Sequence, residues 1–214
     1  SLKGIPFEVS KVEETERKDS PPPPFTTSLL QQAGATFLGY TAKRTMMVAQ
    51  QLYEGVSLGA EGPTGLITYM RTDSVRFAPE AIAGARNAIK KKFGAKYLPE
   101  HPRAFKARKA AQEAHEAIRP TEFSRTPESV EGSLTPEQAK LYRLIWNRAV
   151  ASQMAESVTQ TTRAEIAAGQ LVFGARGRLV RFDGYTRLLT RKDEAQALPS
   201  LAAGQKLKVR DLKS

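Results

Sequence analysis

The decapeptide GLITYMRTDS at residues 65–74 passes from a short apolar run directly into polar side chains. The apolar run is typical of a short strand, and side chains alternate between the two faces of an extended chain. Tyr69, Arg71 and Asp73 are therefore predicted to share one face. Because the phenol pKa is about 10, a nucleophilic tyrosine needs a nearby positive charge or a base. Arg71 can supply the charge and can also bind a phosphate through two donors, although a purely structural tyrosine fits the same pattern.

Helical patterns flank this decapeptide on both sides. Before it, Ser28 with Gln31 predicts a capping box for a first helix, which ends near the glycines at positions 34 or 39. A second helix is predicted between the cap residue Thr41 and the terminating Gly55. After the decapeptide, a third helix is predicted to begin at Pro79.

An alanine-rich helix is predicted over residues 109–119, where Pro120 ends it. At helical spacing Gln112, His115 and Arg119 would share one face, which suits an anion. The alternative is a solvated helix surface without a specific role. With two histidines and no cysteine in the chain, an ordinary zinc or other histidine-built metal site is not expected.

The two ends of the chain carry strand patterns. Residues 7–13 alternate apolar and polar side chains, and the same period of two returns from about residue 159. A long helix is predicted between them over about residues 135–154, with Thr135 as its cap. A lone N-terminal strand is not stable, so it is predicted to pair with the C-terminal sheet, giving an α+β fold.

These patterns predict a division into two domains, with the four prolines at positions 21–24 as a boundary. Residues 1–24 and 125–214 are predicted to form a discontinuous β-rich domain that includes the long helix. Residues 25–124 are predicted to form an inserted, mainly helical domain that carries Tyr69.

The charge balance points to a polyanion. The 214 residues include 33 Lys+Arg and 22 Asp+Glu, a net charge of +11. Residues 86–119 alone hold ten lysines and arginines against three glutamates, a density that favours contact with a phosphate backbone. No apolar run is long enough for a membrane span or a signal peptide, so no membrane partner is expected. Since the chain does not begin with Met, it is expected to be part of a larger polypeptide.

The decapeptide closely resembles the active-site tyrosine motif of bacterial type IA DNA topoisomerases. Five further segments resemble the same family in the same order: PFTTSLLQQ at 24–32, TMMVAQQLYE at 45–54, QEAHEAIRPT at 112–121, LYRLIW at 141–146 and RFDGY at 181–185. The resemblance implies that the helical domain is the lid of the family's torus and that the β-rich domain belongs to its arch.

The resemblance also implies a set of site residues. Tyr69 would attack a phosphodiester of single-stranded DNA and form a 5′-phosphotyrosyl link, and Arg71 would bind the scissile phosphate. His115 and Arg119 would hold the nearby DNA backbone. The resemblance extends a DNA-binding role to four further residues: Gln112, Thr72, Asp73 and Lys43.

The family's Mg²⁺ is implied to lie in a TOPRIM domain with an Asp-x-Asp-x-Glu cluster, and no such cluster occurs in these residues. The implied partners are therefore single-stranded DNA and the TOPRIM-containing rest of the same polypeptide. A monomer in the bacterial cytoplasm, associated with the nucleoid, is expected. The chain alone is expected to bind single strands without relaxing DNA. A non-catalytic single-strand-binding module is the main alternative, and a scaffold for acidic proteins is a third.

Overall fold

The computed structural model describes residues 5–59, 62–105, 115–189 and 196–208, in which helices and an antiparallel sheet form the predicted α+β fold. The helices are α1 (Thr27–Ala33), α2 (Ala42–Glu54), α3 (Pro79–Phe93), α4 (Pro127–Val130) and α5 (Pro136–Ser152). The strands are β1 (Phe7–Asp19), β2 (Val56–Ser57), β3 (Pro63–Thr64), β4 (Ser157–Ala168), β5 (Leu171–Phe182) and β6 (Lys206–Leu207). Within the described ranges, no helix has the length and apolar character needed to cross a bilayer.

The chain divides into two compact units. The β unit comprises Ser1–Asp19, Glu156–Gly184 and Arg191–Ser214, and the helical unit comprises Ser20–Ala155 and Tyr185–Thr190. This division differs from the predicted one, which placed the long helix in the β-rich domain. Helix α5 lies in the helical unit because its apolar side packs against α2, α3 and α4.

The β unit is built on a four-stranded sheet in the order β5-β4-β1-β6. Strand β1 pairs antiparallel with β4 from Glu8 opposite Ala167 to Asp19 opposite Ser157, so the predicted pairing of the N-terminal strand is confirmed. On one face of the sheet the rings of Phe7 and Phe173 lie 5.5 Å apart.

Local capping rules explain where the helices of the helical unit begin. The side chain of Thr41 caps α2, and Thr135 forms the predicted capping box with Gln138 at the start of α5. The first helix departs from the prediction, because its cap is Thr26, whose hydroxyl accepts the Leu29 N–H, and not Ser28. Beyond α1 the chain continues as a π-helical turn, Gly34–Leu38, that ends at Gly39 with a φ of 68°.

Large side chains of four helices fill the core of the helical unit. Leu30, Leu52, Ile89 and Trp146, from α1, α2, α3 and α5, are each at most 1% exposed. The polar groups of two buried aromatic side chains of α5 donate hydrogen bonds to backbone carbonyls. The Tyr142 hydroxyl donates to Arg125 O at 2.7 Å, and the Trp146 indole N–H donates to Phe123 O at 3.3 Å.

An ion-pair cluster joins three helices of this unit at Glu128 in α4. Its carboxylate accepts from Lys92 of α3 at 2.9 Å and from Arg143 of α5 at 2.6 Å. The hydrogen bond from Lys92, with a contribution from Arg143, lowers the pKa of Glu128 to about 2. Because the pKa is lowered on folding, this cluster stabilises the unit above pH about 4.5, and the contribution is lost as the pH falls toward 2.

Candidate functional site

A short hairpin, β2–β3, returns the chain from the end of α2 into residues 65–74. After the hairpin, the Leu66 N–H donates to Leu52 O at 2.8 Å, which places the start of the decapeptide against the last turn of α2. A Cβ atom at Gly65 would lie 2.7 Å from Tyr53 O, so this close approach of two backbones admits only glycine.

Burial alternates residue by residue through the second half of the decapeptide. Met70, Thr72 and Ser74 are buried, with exposed fractions of 1, 8 and 1%. Tyr69, Arg71 and Asp73 are exposed. All three side chains therefore lie toward solvent, as the predicted common face requires, but the segment is not uniformly extended, because the chain bends at Met70 and Arg71.

Two threonine hydroxyls form hydrogen bonds with the backbone on either side of Tyr69. The Thr68 hydroxyl donates to Ala117 O at 2.8 Å and accepts the Arg119 N–H at 3.0 Å. The Thr27 hydroxyl donates to Met70 O at 2.8 Å and accepts the Thr72 N–H at 2.9 Å. The backbone that carries Tyr69 is thus held from both directions by elements distant in sequence.

The Tyr69 ring is 48% exposed and packs edge-on against Tyr53 of α2, with ring centroids 5.4 Å apart and an interplanar angle of 64°. Tyr53 is itself 40% exposed. Edge-to-face contact limits the directions in which the Tyr69 ring can point while leaving its hydroxyl end accessible. Two partly exposed aromatic rings in contact with each other also suit an unpaired base, which stacks on aromatic side chains.

The predicted helix over residues 109–119 is wrong for its described part. Residues 115–120 are extended: the Ala117, Ile118 and Thr121 N–H groups donate to Arg76 O, Phe25 O and Leu66 O at 2.9–3.0 Å. These long-range backbone bonds outweigh the helix propensity of the alanines, and Pro120 additionally disfavours a helical conformation at the residue before it.

The extended conformation separates the residues that the predicted helix would have grouped. His115 and Arg119 span roughly 13 Å of extended chain instead of one helical turn. His115 is exposed, whereas Arg119 is buried at 7%. Gln112, the third residue of the predicted face, lies outside the described residues.

Arg119 is held entirely by protein acceptors. Its guanidinium donates to the Glu116 carboxylate at 2.6 and 3.3 Å, to Pro120 O at 2.9 Å and to Thr121 O at 3.3 Å. Glu116 also accepts the Ala78 N–H, at the start of α3, at 2.5 Å. The pair therefore joins the 115–121 segment to α3, and a DNA-binding role for Arg119 stays a prediction.

We expect Arg119→Met to lower the free energy of unfolding by about 2–3 kcal/mol, because the half-buried Glu116 carboxylate loses its counter-ion. Urea denaturation followed by tryptophan fluorescence measures the change, since Trp146 lies in the same unit. Arg44→Met, which breaks the exposed Arg44–Glu137 pair of the same unit, is the control and should cause no resolvable change. Equal effects of the two substitutions would contradict the structural role of Arg119.

The remaining predicted site residues lie in different environments. The buried Thr72 hydroxyl accepts the Ser74 N–H at 3.0 Å, a local turn that shapes the segment beyond Arg71. Asp73 is exposed beside it, and Lys43 is exposed in the first turn of α2. The structure thus places Thr72 in a backbone role that the sequence pattern did not indicate.

The described residues contain no ready-made cluster of metal ligands. Mg²⁺ in proteins is bound by carboxylates and other oxygen ligands, and no group of three potential metal-ligating side chains occurs in the described parts of the chain. No step is therefore assigned to a metal held by these residues.

Comparisons with known proteins agree on one family. A family model described as DNA topoisomerase matches residues 1–214. The chain is 46% identical to DNA topoisomerase 1 of Campylobacter jejuni over 207 residues and 43% identical to that of Rickettsia felis over 220 residues. These matches cover 96% and 99% of this chain but only 29% and 28% of the relatives.

A solved structure shows the same fold. Full-length topoisomerase I from Thermotoga maritima matches with a TM-score of 0.82 and 37% identity, over 97% of this chain and 33% of that one. The chain therefore spans about a third or less of the length of the relatives it matches.

Proposed function

Because the chain belongs to the bacterial type IA DNA topoisomerase family, we propose that Tyr69 is the nucleophile of a DNA strand transesterification. The Tyr69 oxygen attacks a phosphorus atom of single-stranded DNA, and the bond from that phosphorus to the 3′ oxygen breaks. The phenol loses its proton and the released 3′ oxygen gains one. The product is a 5′-phosphotyrosyl link, which the 3′ hydroxyl reverses after another strand has passed.

This proposal rests on the position of Tyr69, which is exposed while hydrogen bonds hold the backbone on both sides of it. The ring edge contact with Tyr53 and the backbone bonds at Thr68 and Met70 fix the side chain without burying it. A nucleophile held in place on an accessible surface needs little reorganisation to meet a phosphodiester, which is the main benefit of such positioning.

Arg71 has the position and the chemistry to bind the scissile phosphate. It is exposed, as Tyr69 is, and lies two residues further along the chain, at the bend that follows Tyr69. Its guanidinium can bind two phosphate oxygens at once, which aligns the phosphorus and stabilises the negative charge that grows during transfer. His115, exposed at the start of the segment that Thr68 binds, holds adjacent DNA backbone in this proposal.

The proposed activity of the whole protein is relaxation of negatively supercoiled DNA in the bacterial cytoplasm. The chain supplies the tyrosine side of the site, and the rest of the polypeptide supplies the acidic TOPRIM side with Mg²⁺. Alone, these 214 residues bind single-stranded DNA weakly and do not relax DNA. The net charge of +11, with the exposed Tyr53 as a stacking platform, also suits the second candidate function, a non-catalytic single-strand-binding module.

A search for a covalent adduct tests this proposal. A single-stranded oligonucleotide labelled at its 3′ end is incubated with Mg²⁺ and either this chain alone or this chain together with a TOPRIM-containing fragment. Denaturing gels then detect labelled protein, because the 5′-phosphotyrosyl link retains the 3′ portion of the DNA. We expect an adduct only in the mixture. No adduct, despite single-strand binding and demonstrated association of the two pieces, would favour the binding module.

A further inference from the structure

We propose that Thr27 is a positioning residue for the cleavage reaction, acting through the backbone of Arg71. This inference rests on the proposed function of Tyr69 and Arg71. Thr27 is the first residue of α1 and lies 42 positions before Tyr69 in the sequence. It touches neither DNA nor a reacting atom in this proposal.

The Thr27 hydroxyl bridges the two peptide groups that flank Arg71. Met70 O, which accepts from the hydroxyl, precedes the Arg71 nitrogen, and the Thr72 N–H, which donates to it, follows the Arg71 carbonyl. The Thr27 N–H also donates to Thr72 O at 2.9 Å. The hydroxyl also lies 3.1 Å from Thr72 O, so one residue makes four hydrogen-bond contacts around Arg71, at the place where the chain bends.

These bonds have no ready substitute. Met70 is 1% exposed and Thr72 is 8% exposed, so water has little access to their backbone groups. If the hydroxyl is removed, a buried carbonyl and a buried N–H lose their partner, and the segment is expected to shift to recover hydrogen bonds. Because Arg71 sits between the two groups, any such shift redirects its side chain and moves Tyr69 on the other side of Met70.

The neighbouring Thr26 provides a matched comparison within the same helix start. Its hydroxyl caps α1 through the Leu29 N–H at 3.3 Å and lies 3.2 Å from the Ser28 hydroxyl. The Thr26 hydroxyl therefore stabilises the first turn of α1, whereas the Thr27 hydroxyl bonds to the segment around Arg71. Loss of helix stability and loss of positioning can be separated by comparing the two.

The test uses a polypeptide that contains these 214 residues and has the full length of the relatives. The wild type is compared with Thr27→Val, Thr27→Ser and Thr26→Val. Single-turnover formation of the covalent adduct is followed over a range of single-stranded oligonucleotide concentrations, with Mg²⁺ present. We expect Thr27→Val to lower the rate at saturating DNA by roughly 10- to 100-fold, with half-saturation changed less than about threefold. Thr27→Ser, which restores the hydroxyl, should return to within about threefold of wild type, and Thr26→Val should cleave normally.

The other possible results contradict either the positioning role of Thr27 or the proposed function itself. A rate for folded Thr27→Val within about threefold of wild type overturns the positioning role, and so does an equal loss in Thr26→Val, which would indicate helix stability alone. If Thr27→Val does not fold, Thr27→Ala decides in the same assay, because it removes the hydroxyl with less crowding. If wild type itself forms no adduct, the proposed function fails, and the role of Thr27 fails with it.

Discussion

Replacing Tyr69 with phenylalanine is expected to abolish the covalent adduct, a loss of at least roughly 10⁴-fold in the rate of its formation. The substitution removes one oxygen atom, which is the atom that would bond to phosphorus, and leaves a ring that can still pack against Tyr53. Affinity for single-stranded DNA should change less than about threefold, because stacking and phosphate contacts remain. Denaturing gels measure the adduct, and fluorescence anisotropy of a labelled oligonucleotide measures binding.

Tyr53→Phe is the matched control for this experiment. Tyr53 is a second exposed tyrosine, its ring centroid lies 5.4 Å from that of Tyr69, and the substitution removes the same atom. We expect this variant to form the adduct at close to the wild-type rate. An adduct that survives in Tyr69→Phe and disappears in Tyr53→Phe would transfer the role of nucleophile to Tyr53.

The second large effect is expected at Arg71. Arg71→Lys keeps the positive charge but loses the planar pair of donors, so the cleavage rate should fall by roughly 10- to 100-fold. Arg71→Ala, which also loses the charge, should fall by roughly 10²- to 10³-fold. The difference between the two variants separates alignment of the phosphate from attraction to it. Single-turnover cleavage at saturating oligonucleotide provides the measurement.

Arg44→Lys serves as the control for Arg71→Lys. Arg44 is an exposed arginine of α2 that pairs with Glu137 and lies outside the tyrosine segment. We expect it to cleave at the wild-type rate. Cleavage by Arg71→Lys at the same rate would argue against two-point binding of the phosphate, and would leave only a charge requirement at that position.

Local chemistry explains the features that could be predicted from residues near one another. The beginnings of α2 and α5 follow from the caps at Thr41 and Thr135, whose hydroxyls bind N–H groups within the same turn. The exposure of Tyr69, Arg71 and Asp73 alternates with a period of two, as the sequence pattern predicts, although the chain bends within this segment. The pairing of the N-terminal strand with the C-terminal sheet follows because a single strand leaves its backbone groups unpaired.

Backbone partners from distant parts of the chain explain where the prediction was wrong. Residues 115–119 have the composition of a helix, but Phe25, Thr68 and Arg76 bind their peptide groups in an extended conformation. That conformation directs Arg119 to Glu116 and to backbone carbonyls, away from the helix face on which it was expected. Helix propensity amounts to a few tenths of a kcal/mol per residue, which several long-range hydrogen bonds together exceed.

The sequence by itself determined the α+β class, most helix starts, the family resemblance and the alternation of side chains that begins at Tyr69, because each depends on neighbouring residues or on a contiguous motif. Only the tertiary structure decided that Thr27 brackets Arg71, that Arg119 pairs with Glu116 and that α5 belongs to the helical unit. Hydrogen bonds and apolar contacts act over a few ångströms in space whatever the separation along the chain, and a linear pattern does not contain those distances.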